Sequence, residues 1–433
     1  MIFKSWQAWL CLALGMSLLA QAHGQNLNVD ATAKALRINN TITGGFMPTS
    51  DPLFQQMVQK VASGDLQGAA AIAAGSRYFA GYLGRRLALQ MQSPALEATN
   101  SSDNDATAFI LAHFIGLPGT PASLSTLWSE NATYLLNING TNQHAADLNT
   151  AVLEQLDWGS ALVRVTGQTV LDQNNNPITL PIKHVGGYVT LSDRPGDTSF
   201  AMWGATAGTN LRMIEGIWEI ATGLKLMDVA STSALAQDVP RFIPEYDPNF
   251  FQGQGQTACI ACHGGGMASL NHGYATVADT FDYTGNGLTF IANPTNRTRK
   301  SLGSDPAKRA AIATCNLTAN PDTVCNPDSS GIDQNQGWNV GVTWGPTGVL
   351  NTMGWTGPTS GQGLNELGIA LGQARIVYEY LVKRVVTEVC PLGAFRADEI
   401  TKMANAANPY AVPAGTDDIR TIVSLVASHP SCL

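Results

Sequence analysis

The chain has 433 residues, 44% of them hydrophobic and 13% charged, with a formal net charge of −8 and a mean hydropathy of 0.00. That is a globular composition with length for two or three domains, and no stretch after the first twenty residues is apolar enough to span a membrane. An acidic, Lys-poor chain is also a poor match for nucleic acid or an anionic membrane surface.

Residues 1–22 read as a secretory signal peptide: Lys4, an apolar run from Trp9 to Ala20, and small residues at Ala20 and Ala22, with cleavage near Ala22. Cys11 lies in that run without a lipobox, which points to a soluble product. Removing the segment takes away Lys4, its one charged residue, and moves the net charge from −8 to −9. Residues 23–45 are polar and aperiodic and are expected to be a flexible lead-in. A first domain is expected over 46–237. Ser50-Asp51-Pro52 starts a helix with Leu53, Met57, Val58 and Val61 on one face. A second helix is expected over Asp65–Ala74 and a third over Tyr78–Met91. After a polar break at Ser101–Asp105, Ala106–Ile115 is helical and holds His113. Pro118–Pro121 breaks the chain again, and further helices are expected over Ser123–Leu136 and Ala145–Trp158. Alternation over Ala161–Leu171 and Ile178–Val185, around the turn cluster Asp172–Pro177, predicts a β-hairpin insert over 161–185. Gly208–Met227 returns to helix, with Met213, Ile217, Ile220 and Leu224 on one face, and Asp238-Val239-Pro240 opens an extended linker.

The linker leads to Cys259-Ile-Ala-Cys262-His263. Two thiols two residues apart, with a histidine directly after the second, form the pattern of a covalent c-type haem site. Each thiol bonds one vinyl group, and the imidazole is delivered to the proximal face of the iron. A zinc site would need further ligands at suitable spacing nearby, a thioredoxin-type pair would need a βαβ context, and a disulfide across two residues is strained. One haem c is therefore expected, on Cys259 and Cys262, with His263 as its iron ligand. Residues 238–433 form the expected haem domain. Gly264–Gly266 give a turn or a close approach to the macrocycle. Residues 284–345 are loop-rich, with Trp338 and Trp344. Asp322, Asp328 and Asp333 do not fit an EF-hand spacing. Leu364–Val389 reads as the strongest helix, with Leu364, Leu367, Leu371, Ala374, Tyr378, Leu381 and Val385 on one face. Gly368 and Gly372, four apart on a neighbouring face, would let another helix cross closely.

Outside the signal and the motif pair, Cys315, Cys325, Cys390 and Cys432 remain. An even number in an exported chain suggests two disulfides. Of the three pairings, the most local joins Cys315 to Cys325 and Cys390 to Cys432; unpaired buried thiols are the alternative.

This order of elements resembles single-haem cytochrome c domains, in which the first and last helices cross. It is more specifically similar to a group of uncharacterised secreted bacterial proteins with relatives among planctomycete cytochrome-like domains. There Cys-x-x-Cys-His-x-Gly-Met follows a helix containing Ala-Gly-Thr-Asn. The matching stretches are Ala207-Gly208-Thr209-Asn210, Cys259–His263 and Gly265-Gly266-Met267, with the methionine one residue late. Gly354-Trp355 and Val389-Cys390 also fit. The resemblance implies fold and cofactor and brings no established activity.

The group opposite His263 decides the chemistry, because a haem with two strong ligands shuttles electrons and one with an open position reacts with small molecules. Met353, in Leu350-Asn-Thr-Met-Gly-Trp355, is placed as a distal ligand; its alternative is a thioether packed under Trp355. Met267 is the second candidate, although only four residues separate it from His263. His113, His184, His272 and His429 are rarer options. Arg297 and Arg299, with Lys300, could pair the propionates or form a solvated loop. The expectation is a mainly α protein: a helical N-terminal region with a hairpin insert, then a cytochrome c-like haem domain. It would be periplasmic or secreted and act in electron transfer with a redox partner. A haem peroxidase or oxygenase with an open distal site is the alternative, and a surface structural protein with an accessory haem is another.

Overall fold

The computed structural model describes residues 29–91, 103–149, 152–153, 156–171, 177–179, 182, 185–190, 219–223, 281–283, 288–290, 337–339, 360–391 and 394–433. These are mostly helical, with a small antiparallel sheet.

Residues 29–43, expected within a flexible lead-in, form a helix, α1. Ala31, Ala35, Ile38 and Ile42 are buried along one stripe, a helical spacing that the surrounding polar residues disguise. Two helices start where the capping residues place them. In α2 (Pro52–Ala62), Asp51 accepts from the Leu53 N–H at 2.9 Å. In α3 (Leu66–Gly75), Asp65 accepts from Gly68 N–H at 2.8 Å. Side-chain caps of this kind satisfy the orphan donors of a first turn. The third expected helix, α4, runs as Arg77–Phe79, a π-helical turn Ala80–Gly84 and Arg85–Gln90. The next, α5 (Asp103–Ile115), begins inside the expected polar break. It is buried on every side from Ala106 to Phe114, which makes it the central helix.

The sheet departs most from expectation. Ser123–Leu136 is not a helix: Leu124–Thr126 is a 3-10 turn and Ala132–Ile138 is strand β1. Asn139-Gly140, both at positive φ, then turns the chain into β2 (Thr141–Gln143). An Asn-Gly pair is the favoured two-residue hairpin turn because both positions need φ > 0. Nor is Ala145–Trp158 one helix; Ala145–Asp147 is a 3-10 turn, and the short helix α6 spans Trp158–Ala161. β3 (Leu162–Thr166) pairs with β1, giving the order β2-β1-β3 with Tyr134 opposite Arg164. The 161–185 hairpin therefore shrinks to β4 (Thr169–Leu171) against β5 (Pro177–Thr179), because its first arm is taken by β1. Two further short pairs join β6 (Phe281–Tyr283) to β7 (Leu288–Phe290) and β8 (Gly337–Asn339) to β9 (Ser360–Gln362).

The expected long helix 364–389 is two helices, α7 (Gly363–Gln373) and α8 (Arg375–Val389), parted at Ala374, whose backbone is extended at ψ 120°. α9 (Ala397–Ala407) and α10 (Ile419–Ala427) complete the chain. Of the expected helix 208–227, only 219–223 are described, and residues 219–222 are helical.

The close approach expected at Gly368 and Gly372 is present, but the visitor is not a helix. A Cβ on Gly368 would lie 1.9 Å from the Trp128 carbonyl oxygen, and one on Gly372 2.0 Å from that of Ser125. The expected Cys390–Cys432 disulfide is present with Cα atoms 5.2 Å apart; Cys315 and Cys325 lie outside the described residues. Among the described residues, those before 224 and after 359 share one hydrophobic core, in which Phe54, Ala70, Phe109 and Leu127 are buried with Leu371, Leu381, Val385 and Val423. α10 packs on α3, and α8 on α4.

Candidate functional site

Cys259, Cys262 and His263 lie outside the described residues, as do Met267, Arg297, Arg299, Met353, His184 and His272. Of the sequence-derived candidates, His113 and His429 are described. His429 stacks near Phe395, with ring centroids 4.5 Å apart, and its Nε2 lies 3.7 Å from Glu399. It belongs to the C-terminal packing.

His113 anchors a buried polar cluster. Its side chain is 0% exposed and that of Glu130 is 3% exposed, with Nε2 2.9 Å from Glu130 Oε2. Its Nδ1 lies 2.9 Å from the Phe109 carbonyl oxygen, an atom that only accepts, so Nδ1 carries a proton. Tyr134, on β1, donates to Glu130 Oε2 at 2.8 Å. Arg164, opposite Tyr134 on β3, donates to Oε1 at 2.7 Å. The His113 ring stacks on Phe109 at 4.5 Å and meets Tyr134 edge-on at 5.8 Å. Burial raises the Glu130 pKa, but His113, Arg164 and Tyr134 outweigh it and hold the carboxyl below its usual range. Burial, followed by the charge of Glu130, pushes the Tyr134 phenol well up. Glu130 therefore stays an anion that accepts from the sheet while holding the central helix.

This arrangement orients groups rather than offering them to a substrate. A sealed carboxylate with partners on both oxygens is a crosslink between α5 and the sheet. His113, on an apolar helix in the sequence, is a buried core histidine with its polar partners inside the fold. Its partner was legible only through strand pairing: Tyr134 and Arg164 become neighbours once β1 and β3 are in register. A second link leaves the same helix one face round. Asp105 Oδ2 lies 2.9 Å from His144 Nδ1, and Oδ1 accepts from Ala146 N–H at 3.0 Å.

Among the described residues no group of three His, Cys, Asp or Glu side chains could hold a metal ion, and no helix is long and apolar enough to cross a membrane. No known protein family, curated protein or solved structure matches the chain.

Proposed function

We propose that the chain is an exported monohaem c-type cytochrome acting in electron transfer. The observation that carries this reading is Cys259-Ile-Ala-Cys262-His263. The donor set fits the cofactor: two thiols for the vinyl groups and one imidazole for the iron, in the order and spacing that covalent attachment requires. A bound haem c supplies a one-electron iron centre. The chain supplies Cys259 and Cys262 as attachment points, His263 as the proximal ligand and Met353 as the leading distal ligand, with Met267 behind it. Arg297 and Arg299 are the proposed propionate partners.

The cysteine usage agrees with export. The Cys390–Cys432 bridge belongs to an oxidising compartment, the kind in which a protein with the signal-like first 22 residues would mature. A redox partner docking at an exposed haem edge is part of the same reading.

The deciding experiment is an optical spectrum of the mature protein from a host competent for c-type maturation, ferric and ferrous, with and without carbon monoxide. A weak far-red ferric band and no carbon monoxide shift are expected for a six-coordinate carrier with a methionine ligand. A high-spin ferric spectrum with rapid carbon monoxide binding would replace electron transfer by an open-site enzyme. Absence of haem absorbance would overturn the reading.

A further inference from the structure

Two neighbouring side chains on α8 hold the chain on either side of long stretches of sequence. Arg384 is 9% exposed. Its guanidinium donates to the Gln90 carbonyl, at the end of α4, and to the Ile220 carbonyl at 3.1 Å. It also lies 4.6 Å over the Tyr380 ring, one turn earlier. That ring also meets the chain at Gly223, where φ is +72° and a Cβ would lie 2.3 Å from Tyr380. A side chain at position 223 is thus excluded twice, by the left-handed backbone and by the ring.

The returning chain is fastened in the same way. Asn365, at the start of α7, donates to the Ser129 carbonyl at 2.6 Å and to the Val185 carbonyl at 3.2 Å. Three residues on, Gly368 sits against the Trp128 carbonyl. Asp417, just before α10, accepts from the Ser125 N–H at 2.8 Å and from its hydroxyl. Buried main-chain carbonyls need donors; here donors from the C-terminal helices serve carbonyls from the N-terminal half, so neither half is satisfied alone.

We infer that the described residues before 224 and after 359 close into a single folding unit through the Tyr380–Arg384 clasp and the Asn365 and Asp417 bonds, with the motif-bearing stretch carried between its two ends. Its corollary, which rests on the haem reading, is that haem attachment is not a condition for folding of this unit.

The test is hydrogen exchange on the full chain. In Cys259→Ala/Cys262→Ala, amides of α4, α5, α8 and α10 should keep wild-type protection to within about threefold, because the global opening of the unit is unchanged. Exchange about a hundredfold faster or more in α8 and α10 would overturn the corollary. Arg384→Ala should raise exchange by about tenfold or more in α8, at the end of α4 and at 219–223 together; a rise confined to α8 would refute the clasp. Should that variant fail to fold, Gly223→Ala presses on the same Tyr380 ring, and the same joint response is required. Wild-type protein without haem absorbance would remove the haem reading and its corollary, while the joint response to Arg384→Ala would still decide the folding unit.

Discussion

Replacing Gly368 with alanine sets two known effects against each other. Within a helix, alanine is intrinsically better than glycine by about 1 kcal/mol. Against that, the new Cβ would lie 1.9 Å from the Trp128 carbonyl oxygen, 2.6 Å from its carbon and 3.2 Å from Ser129 Cα. All three are main-chain atoms, so no rotamer change relieves them. Restoring an ordinary carbon–oxygen contact of about 3.3 Å requires α7 and the 124–129 segment to part by more than about 1 Å. That movement stretches the 2.6 Å bond from Asn365 to the Ser129 carbonyl and opens the matching contact at Gly372. Overpacking of this kind costs about 1–3 kcal/mol, and a strained buried hydrogen bond adds about 1 kcal/mol. The net expectation is a loss of about 1–3 kcal/mol once the helix gain is subtracted, or a fall in melting temperature of about 2–12 °C for a body of this size. Gly75→Ala, at a helix position with nothing within 4 Å of the added atom, is the control and should be neutral or slightly stabilising. Thermal unfolding followed by circular dichroism reads both. A Gly368→Ala protein as stable as Gly75→Ala would refute the close approach.

Other expectations follow from the same contacts. Cys390→Ser opens a bridge spanning 42 residues and should cost about 4 kcal/mol on the chain-entropy account; an unchanged denaturation midpoint would contradict a formed disulfide. Glu130→Gln leaves His113 and Arg164 without their buried anion and should cost about 3–5 kcal/mol near neutral pH. Because the folded Glu130 pKa is depressed, its stabilisation is complete above the unfolded value of about 4.3 and fades as pH falls through the folded one. Denaturation at pH 7 and pH 3 should therefore show the gap between wild type and variant narrowing in acid; a gap that widens would reverse the assignment. Cys262→Ala should abolish two-bond haem attachment, and a pyridine haemochrome unchanged at full yield would rule that role out. Met353→Ala should remove the thioether signature from the ferric spectrum, and an unaltered spectrum would exclude Met353 as ligand.

The helices of the N-terminal half were legible where short-range chemistry decides. Asp51-Pro52 and Asp65 are caps whose geometry depends on neighbours two or three residues away. The Cys390–Cys432 pairing followed from locality in sequence. What escaped was decided by distant partners. Ala132, Tyr134 and Leu136 line one buried face of β1 only once β3 lies beside them, and a helical reading of Ser123–Leu136 passes over the Asn139-Gly140 turn just beyond it. Along 29–43, small Ala31 and Ala35 give a weak apolar signal and are buried because their size allows close packing. The split at Ala374 leaves the hydrophobic stripe almost unbroken, so periodicity alone runs through it. The polar cluster was half legible: His113 stands out on an apolar helix, whereas nothing local in the sequence links Glu130 and Arg164, which the sheet register brings together.

The two glycines of α7 face the N-terminal half of the chain. In the cytochrome resemblance, a small-residue face on a late helix meets the first helix of the haem domain. In this fold the positions are filled by the main chain of Ser125 and Trp128, residues from the N-terminal half. The adjoining helix α8 spends its buried positions, Val377, Leu381, Val382 and Val385, on the shared core, where it packs against α9 and α10. The late helices are therefore explained by the scaffold they complete and add no weight to the cofactor assignment, which stands on Cys259, Cys262 and His263. Scaffold and cofactor become separable questions with separable readouts: the melting of Gly368→Ala reports on the first, and the ferric and ferrous spectra report on the second.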